Sequence, residues 1–462
     1  MQGAPTDDLY FRNDHVAGCT IERGEPCTGA QWVPDSCEAR WYSFGVTTVM
    51  SEHLGPGAMS RRRFLQATGL AGSACLVGGV SALDAQAGSV HLPFANGMRD
   101  LTRAFPQKGE MILLRTRPPM LETPFDVFDR GVFTPNDRFF VRWHLGYMPT
   151  QVDADAFRLA VRGQVGKPLS LSLRQLMTEF EPFEIAAVNQ CSGNSRGFFQ
   201  PRVPGGQWAN GAMGCARWTG VRLKDVLDRA GVNAGAVQVR FNGMDSGNLQ
   251  ATPDFLKSLD IEHARDGEVM LAYGMNGEAL PLLNGFPLRL VVPGWYSTYW
   301  VKMLNDIEVL DKADDNYWMA KAYLIPDTPH ANAAPGQTGF KSVPINRLVP
   351  RSFITNLRDG DKVVAGHAVA IRGIAFGGDA GVRKVLWSSD GGARWLDAEL
   401  EADHGRYAFR RWNARFTPAK RGDMELMVKV INSDGVEQPV EPNWNGGGFM
   451  RNVVERTKLV VA

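Results

Sequence analysis

Apolar and polar positions change their rhythm along this chain, and the changes mark its elements. Between residues 113 and 150, Pro118, Pro119, Pro124 and Pro135 interrupt the apolar runs and exclude long regular structure. Residues 139–145, F-F-V-R-W-H-L, are apolar enough for a short strand, which would set Arg142 and His144 on one face. Residues 157–165 and 168–173 alternate with period two and predict a hairpin turned around Gly163 and residues 166–168. Residues 173–180 predict a short helix. The apolar segment 183–188 predicts a strand that gives way to a loop at Cys191. In residues 221–230, Val221, Leu223, Val226, Leu227 and Ala230 share a helical face, and Gly231 stops the helix. Residues 236–247 read as a strand ending in Asp245, Asn276-Gly277 as a hairpin turn, and residues 288–292 as a strand closed by Pro293-Gly294.

Beyond residue 345 the pattern becomes a series of short alternating runs, at 367–376, 382–395, 407–416 and 423–435, with a strong turn at Ser389-Asp390-Gly391-Gly392. This predicts an immunoglobulin-like β-sandwich over residues 346–462. Residues 327–345, rich in Pro, Gly and Ala, read as a linker, and residues 88–109 as an extended arm. The fold class is therefore α+β, with a mixed domain over residues 88–326 ahead of the sandwich.

Near the start, Ser60-Arg61-Arg62-Arg63-Phe64-Leu65-Gln66 reads as a twin-arginine signal and Ala85-Gln86-Ala87 as a cleavage site. The apolar run between them is too short and too rich in glycine for a membrane span. Residues 59–87 are thus expected to be a signal peptide that sends the protein to the periplasm, a route taken by folded, cofactor-bearing proteins. Met59 then reads as the true start and residues 1–58 as an over-extended reading frame. The alternative is an N-terminal extension, or a small domain using Cys19, Cys27 and Cys37.

Lys plus Arg is 50 against 49 for Asp plus Glu, a net charge of +1, which gives no global reason to expect nucleic acid or an anionic membrane as partner. The sequence has no C-x-x-C-H for covalent haem, no dinucleotide fingerprint and no basic, aromatic-interleaved run. Cleavage after Ala87 would leave Cys191 and Cys215, too few cysteines for a disulfide scaffold.

The densest chemistry lies in residues 188–227. Cys191 sits beside Ser192, Gly193 and Asn194, where glycine admits close approach of backbone or a bulky ligand. Arg196, Arg202 and Arg217 make the neighbourhood electropositive, the setting in which cysteine acts as a thiolate nucleophile or soft metal ligand. The bland reading of Cys191 is a small buried thiol. Cys215, between Gly214 and Ala216, reads as a packing residue, and a Cys191–Cys215 disulfide is the competing arrangement.

The runs C-S-G-N-S-R, G-G-Q-W, G-A-M-G-C-A-R-W-T-G-V and L-K-D-V-L resemble the sulfite oxidase family of molybdenum enzymes, particularly its bacterial sulfite:cytochrome c oxidoreductases. The resemblance runs from about residue 113 to near the C-terminus. It implies a sulfite-oxidase-type molybdopterin-binding domain followed by a domain that commonly dimerises, with Cys191 as the one protein ligand to molybdenum. At residues 139–144 the chain matches the family pattern F-[FY]-x-R-x-H. Phe140, Arg142 and His144 would accordingly meet the cofactor, with Arg142 reaching the substrate anion through paired planar donors. Asp245, Asn284, Arg289, Trp300, Val301 and Lys302 would hold the pterin and its phosphate, a group carrying about −1.5 to −2 charges. Asn284 departs from the histidine of the animal and plant enzymes. Tyr323, in W-M-A-K-A-Y, would donate to a metal-bound oxygen or to substrate, and Arg196 would help Arg142 hold sulfite. Arg383 has no secure place in this correspondence.

The implied partners are sulfite and a c-type cytochrome, with no haem in this chain, in a homodimer or a heterodimer with a cytochrome subunit. Three rivals stand beside this reading. A periplasmic sulfoxide reductase of the same family would lack an arginine at the Arg142 position. A sulfane-sulfur dehydrogenase differs after the cysteine. A secreted β-sandwich binding protein would hold no metal.

Overall fold

The first strands in the computed structural model, which describes residues 88–462, form an antiparallel meander. The twin-arginine stretch, the cleavage signal and Cys19, Cys27 and Cys37 lie outside the described residues. The meander runs Ser89–His91, Met98–Thr102, Met111–Arg115, Met120–Glu122 and Val141–Arg142. The stretch expected as an extended arm is thus paired backbone. It doubles back where Asn96 takes φ 56° and where a Cβ on Gly97 would stand 2.2 Å from the Leu92 carbonyl oxygen, so the turn needs glycine. The strand expected over 139–145 is only two residues long. Its alternation nevertheless continues past Arg142, with Trp143 buried on one side and Arg142 and His144 half-buried on the other.

Two five-membered sheets follow. One has the spatial order Lys257–Asp260, Gln238–Gly243, Leu304–Leu310, Arg158–Gly163, Leu169–Ser172, with Leu304–Leu310 parallel to Arg158–Gly163. The other orders Glu278–Ala279, Met270–Met275, Met213–Arg222 and Pro182–Gln190, and Arg289–Val291 pairs with Met270–Met275. The 236–247 and 288–292 segments are therefore shorter strands than expected, and Asn276-Gly277 makes the expected turn with both φ positive. Helices are few and short. Leu173–Thr178 starts on a Ser172/Gln175 capping box, and Leu223–Ala230 ends on Gly231 at φ 68°. Val221 belongs to the strand before that helix, because pairing with Leu271 and Pro182 outweighs local helical periodicity.

The pair Pro182–Gln190 and Met213–Arg222 runs in register to Gln190 opposite Met213 and releases the chain at Cys191. Trp218, fully buried on this pair, meets Phe139 and Trp300 edge to face at 5.7 and 5.5 Å. Each such contact adds about 0.5–1.5 kcal/mol beyond area burial, which stiffens the strand pair that leads to the thiol loop.

Residues 351–461 form two facing sheets. One orders Arg351–Ile354, Val369–Phe376, Arg410–Phe416 and Glu399–Leu400; the other orders Asp361–Val363, Glu455–Val461, Gly422–Asn432, Val382–Ser388 and Leu396–Asp397. Their inward residues, Trp387, Trp412, Ile371 and Leu459 among them, make a core of their own. Residues 327–345 are anchored at both ends: Ser342–Pro344 pairs with Leu324–Pro326, and Ala331 and Ile345 are buried. The sandwich meets the first domain through a shared apolar cluster of Phe128, Val188, Met213, Cys215, Ile374 and Phe409. Among the described residues, no helix is long and apolar enough to cross a membrane.

Candidate active site

Where the strand Pro182–Gln190 ends, the next residues turn back on themselves. The Cys191 amide donates to the Ala212 carbonyl at 2.9 Å, and Asn194 Oδ1 accepts from the Ala212 amide at 2.9 Å. This backbone frame holds the Cys191 side chain, 5% exposed, at the wall of a cavity open to solvent. Cys191 and Cys215 are both free. Cys215 packs at the domain interface, where burial pushes its thiol up to about 12 and Sγ accepts from the Phe409 amide. It is the packing residue its small neighbours suggested.

Eight of the residues singled out from sequence line this one cavity: Phe140, Arg142, His144, Cys191, Asn284, Arg289, Lys302 and Tyr323. They arrive from five separate stretches of chain. The other four stand behind the wall. Asp245 is buried, and its electrostatic partner is Lys302. Trp300 and Val301 act through their backbone, the Trp300 carbonyl accepting from Arg289 at 3.4 Å and the Val301 carbonyl from the Leu290 amide at 2.8 Å. Arg196 is buried against the thiol loop, with Cys191, Tyr323 and Arg142 as its electrostatic neighbours. Arg202 and Arg217, counted above toward the charge around Cys191, are exposed. Arg202 bonds Gln207 and Arg217 lies over Phe133, so of the three arginines only Arg196 turns its charge to the site.

The wall carries Arg142, Arg289 and Lys302, and no carboxylate among the described residues that line it. Burial brings Lys302 down to about 7, helped by the Arg289 charge, and brings Arg289 down to about 9. Asp245 is raised to about 6 by burial, against the pull of Lys302. Nη1 of Arg142, Nδ2 of Asn189 and Nε of Arg289 are buried without a hydrogen-bond partner among the described residues. Buried cations with unspent donors are costly unless an anion meets them. Among the described residues, no cluster of three or more His, Cys, Asp and Glu side chains is arranged to hold a metal ion. A metal beside Cys191 must therefore bring other ligands, and the unspent cationic donors suit an anionic carrier of such ligands.

His144 and Tyr323 form a pair, Nε2 to hydroxyl at 2.5 Å. The imidazole stacks on Phe255 with centroids 3.7 Å apart. Burial, then the Arg142 and Lys302 charges, hold His144 well below the usual imidazole range, so its ring is neutral at neutral pH. Tyr323 is raised by burial, against Arg142. It stays a hydroxyl, able to donate.

Sequence reasoning missed several members. Lys108 donates to the Asn136 and Phe139 carbonyls at 2.7 and 2.9 Å and to Asn284 Oδ1 at 2.6 Å, and Asn284 Nδ2 donates to the Phe140 carbonyl at 3.2 Å. Asn284 thus faces the cavity already fixed by a buried lysine. Lys257, fully buried, donates to the Trp318 carbonyl at 2.8 Å and lies over the Tyr299 and Tyr323 rings. Neither lysine stands in a local pattern that marks it. Asn189 and Ser192, which flank Cys191 and line the cavity, had only that proximity as a signal.

Lys108, Lys257 and Lys302 are each brought down by burial to about 7 from an ordinary 10.5. Between those values the unfolded chain binds more protons than the folded one, so stability rises with pH across that window. Cofactor-free protein is expected to gain thermal stability from pH 7 to pH 10, as differential scanning fluorimetry would show. A midpoint that stays flat or falls over that range would mean the three lysines are charged and compensated.

Two family descriptions match the chain: an oxidoreductase molybdopterin binding domain over residues 145–318, and a Mo-co oxidoreductase dimerisation domain over residues 342–461. The mitochondrial sulfite oxidase of Rattus norvegicus is 35% identical over 366 residues, 75% of this chain and 64% of that protein. The sulfite oxidase of Gallus gallus is 33% identical over 360 residues, 74% of this chain and 76% of that protein. The chain thus spans less than two thirds of the rat protein's length. Among solved structures, the sulfane dehydrogenase SoxCD of Paracoccus pantotrophus superposes with a TM-score of 0.64 at 22% identity, over 84% of this chain and 94% of that one. At that identity the likeness is one of fold.

Proposed function

The chain belongs to the sulfite oxidase family of molybdopterin oxidoreductases, and from that membership we propose that it oxidises sulfite to sulfate and passes the electrons to an external c-type cytochrome. Its cofactor is the molybdenum–pterin group, which when bound supplies the oxygen transfer and two-electron change this oxidation requires. The observation that carries the reading is the convergence of one free thiol with Arg142, His144 and Tyr323 on a cavity whose buried donors are unspent.

Cys191 would ligate the metal through its soft sulfur. Arg289, Lys302 and Asn284, the last fixed by Lys108, would hold the anionic carrier. Arg142 would bind the doubly charged substrate with its unpaired Nη1, and Arg196 would add charge from behind the thiol loop. Tyr323 would donate to a substrate oxygen while neutral His144 orients its hydroxyl. Apolar Phe140 and Phe255 line the cavity beside these groups, and their low polarity would strengthen each of these contacts relative to open water.

Three further assignments belong to the proposal. The two-sheet architecture and its Trp387/Trp412 core support an immunoglobulin-like class for the sandwich. The match to a dimerisation domain supports a homodimer. The twin-arginine stretch at residues 60–66 supports export to the periplasm.

Sulfite-dependent reduction of cytochrome c by purified, cofactor-loaded protein tests the central reading. Turnover with sulfite and none with a sulfane sulfur donor is the expected result. The reverse preference would move the chain to the sulfane dehydrogenases, and no turnover with either would remove the assignment.

A further inference from the structure

Arg196 is 9% exposed, and among the described residues it makes no ion pair. Its Nη2 donates to the Gly447 carbonyl at 3.0 Å, its Nη1 reaches the Gly206 carbonyl at 3.5 Å, and its Nε is buried without a partner. The guanidinium carbon lies over the Phe449 ring, 5.2 Å from the centroid. That ring also stacks on Tyr323, centroids 5.3 Å apart and planes 22° apart, and the Tyr323 hydroxyl meets His144. Phe449 therefore touches two groups of the site from behind. It belongs to the sandwich domain, between the strands Gly422–Asn432 and Glu455–Val461.

The contact is built on both sides. A Cβ on Gly193 would stand 2.6 Å from the guanidinium carbon, and one on Gly448 would stand 2.7 Å from Arg196 Nε. Two glycines thus leave the space that the arginine fills, and the run Gly446-Gly447-Gly448 is the sequence signal for it. Asn445 fixes the segment, its Oδ1 accepting from the Phe449 amide at 3.0 Å and its Nδ2 donating to the Ala331 carbonyl at 3.0 Å. The Met450 amide then donates to the Ser192 carbonyl at 3.0 Å, beside Cys191. A carbonyl and a ring face orient a guanidinium without neutralising it, so the charge of Arg196 stays available toward the cavity.

We propose that Phe449 and the segment 445–450 are a positioning element of the active site, through which the sandwich domain sets Arg196 and Tyr323 for the anionic substrate. This rests on the oxyanion reading of the cavity given above. A partly desolvated cation–π contact corresponds to about fivefold to thirtyfold in binding.

The test is sulfate affinity by calorimetry and KM for sulfite, both on cofactor-loaded protein. Phe449→Leu keeps most of the apolar volume and removes the ring face. It is expected to weaken sulfate binding and raise KM about tenfold, with kcat within about threefold and cofactor content and thermal midpoint retained. Phe449→Tyr restores both constants. Should Phe449→Leu lose cofactor, Phe449→Met carries the same expectation. A loaded Leu or Met variant that binds sulfate within about twofold of wild type overturns the proposal. Wild-type protein that binds sulfate but does not oxidise sulfite would remove the functional reading and leave this one to be decided by calorimetry. Wild-type protein that neither binds sulfate nor oxidises sulfite overturns both, and where sulfite is oxidised but sulfate binds too weakly to measure, KM for sulfite in the same variants decides.

Discussion

Cys191→Ser abolishes sulfite-dependent turnover while the protein remains folded: this is the largest effect the structure leads us to expect. The substitution exchanges one atom in a side chain that is 5% exposed, so packing changes little. The loop does not depend on the sulfur for its shape, because backbone bonds from Cys191 to Ala212 and from Asn194 to Cys191 hold it. What is lost is a soft, polarisable ligand, replaced by a hard hydroxyl that binds such a metal poorly. Changing a group that merely supports a metal ligand costs about tenfold to a hundredfold in affinity or activity, so replacing the ligand itself is expected to cost more than a hundredfold. The measurements are sulfite-dependent cytochrome reduction, molybdenum content and the thermal midpoint. Retained turnover with full metal content would assign the cysteine to packing. A collapsed midpoint would show that the thiol carries the loop, and the Cys215→Ser variant, at the domain interface, would then be the reference for a purely structural cysteine.

How much of this site the sequence made legible depends on the span of each interaction. Period-two alternation named four strands of the sandwich, Val369–Phe376, Val382–Ser388, Arg410–Phe416 and Gly422–Asn432, since each carries its own pattern of inward residues such as Ile371, Val385 and Val428, but it passed over Arg351–Ile354, Glu455–Val461 and the shorter edge strands. The loop at Cys191 was legible too, because glycine, cysteine and arginine sit together in sequence. Lys108 was not. Its bond to Asn284 joins residues 176 apart, and nothing local separates this lysine from a solvated one. Phe449, in contact with Arg196 from 253 positions away by their numbers, was equally hidden although its glycine run was in plain view. Val221 shows the opposite failure. Local periodicity assigned it to a helix, and sheet pairing claimed it for a strand.

Arg142→Ala is expected to raise KM for sulfite by roughly tenfold to a hundredfold or more, the equivalent of one charge-assisted hydrogen bond at about 1.5–3 kcal/mol. Nη1 of Arg142 is buried with no partner among the described residues, so its hydrogen bond remains to be made to a ligand. Among the described residues that Nη1 holds no partner that its removal would orphan, and the loss should fall on the substrate rather than on stability. Arg142→Lys should recover only part of the affinity, because an ammonium is a point charge and cannot reproduce the planar fork. The same charge depresses His144, where it ranks directly after burial among the causes. With Arg142 gone, the imidazole accepts a proton more readily, and the acid limb of the kcat/KM profile should move to higher pH. The two readouts separate the possibilities. A raised KM with an unmoved acid limb would keep Arg142 as an anion ligand and release His144 from the proton balance of the site. A KM within about threefold of wild type would take the substrate away from this wall of the cavity, and the unspent Nη1 would then belong to the pterin group.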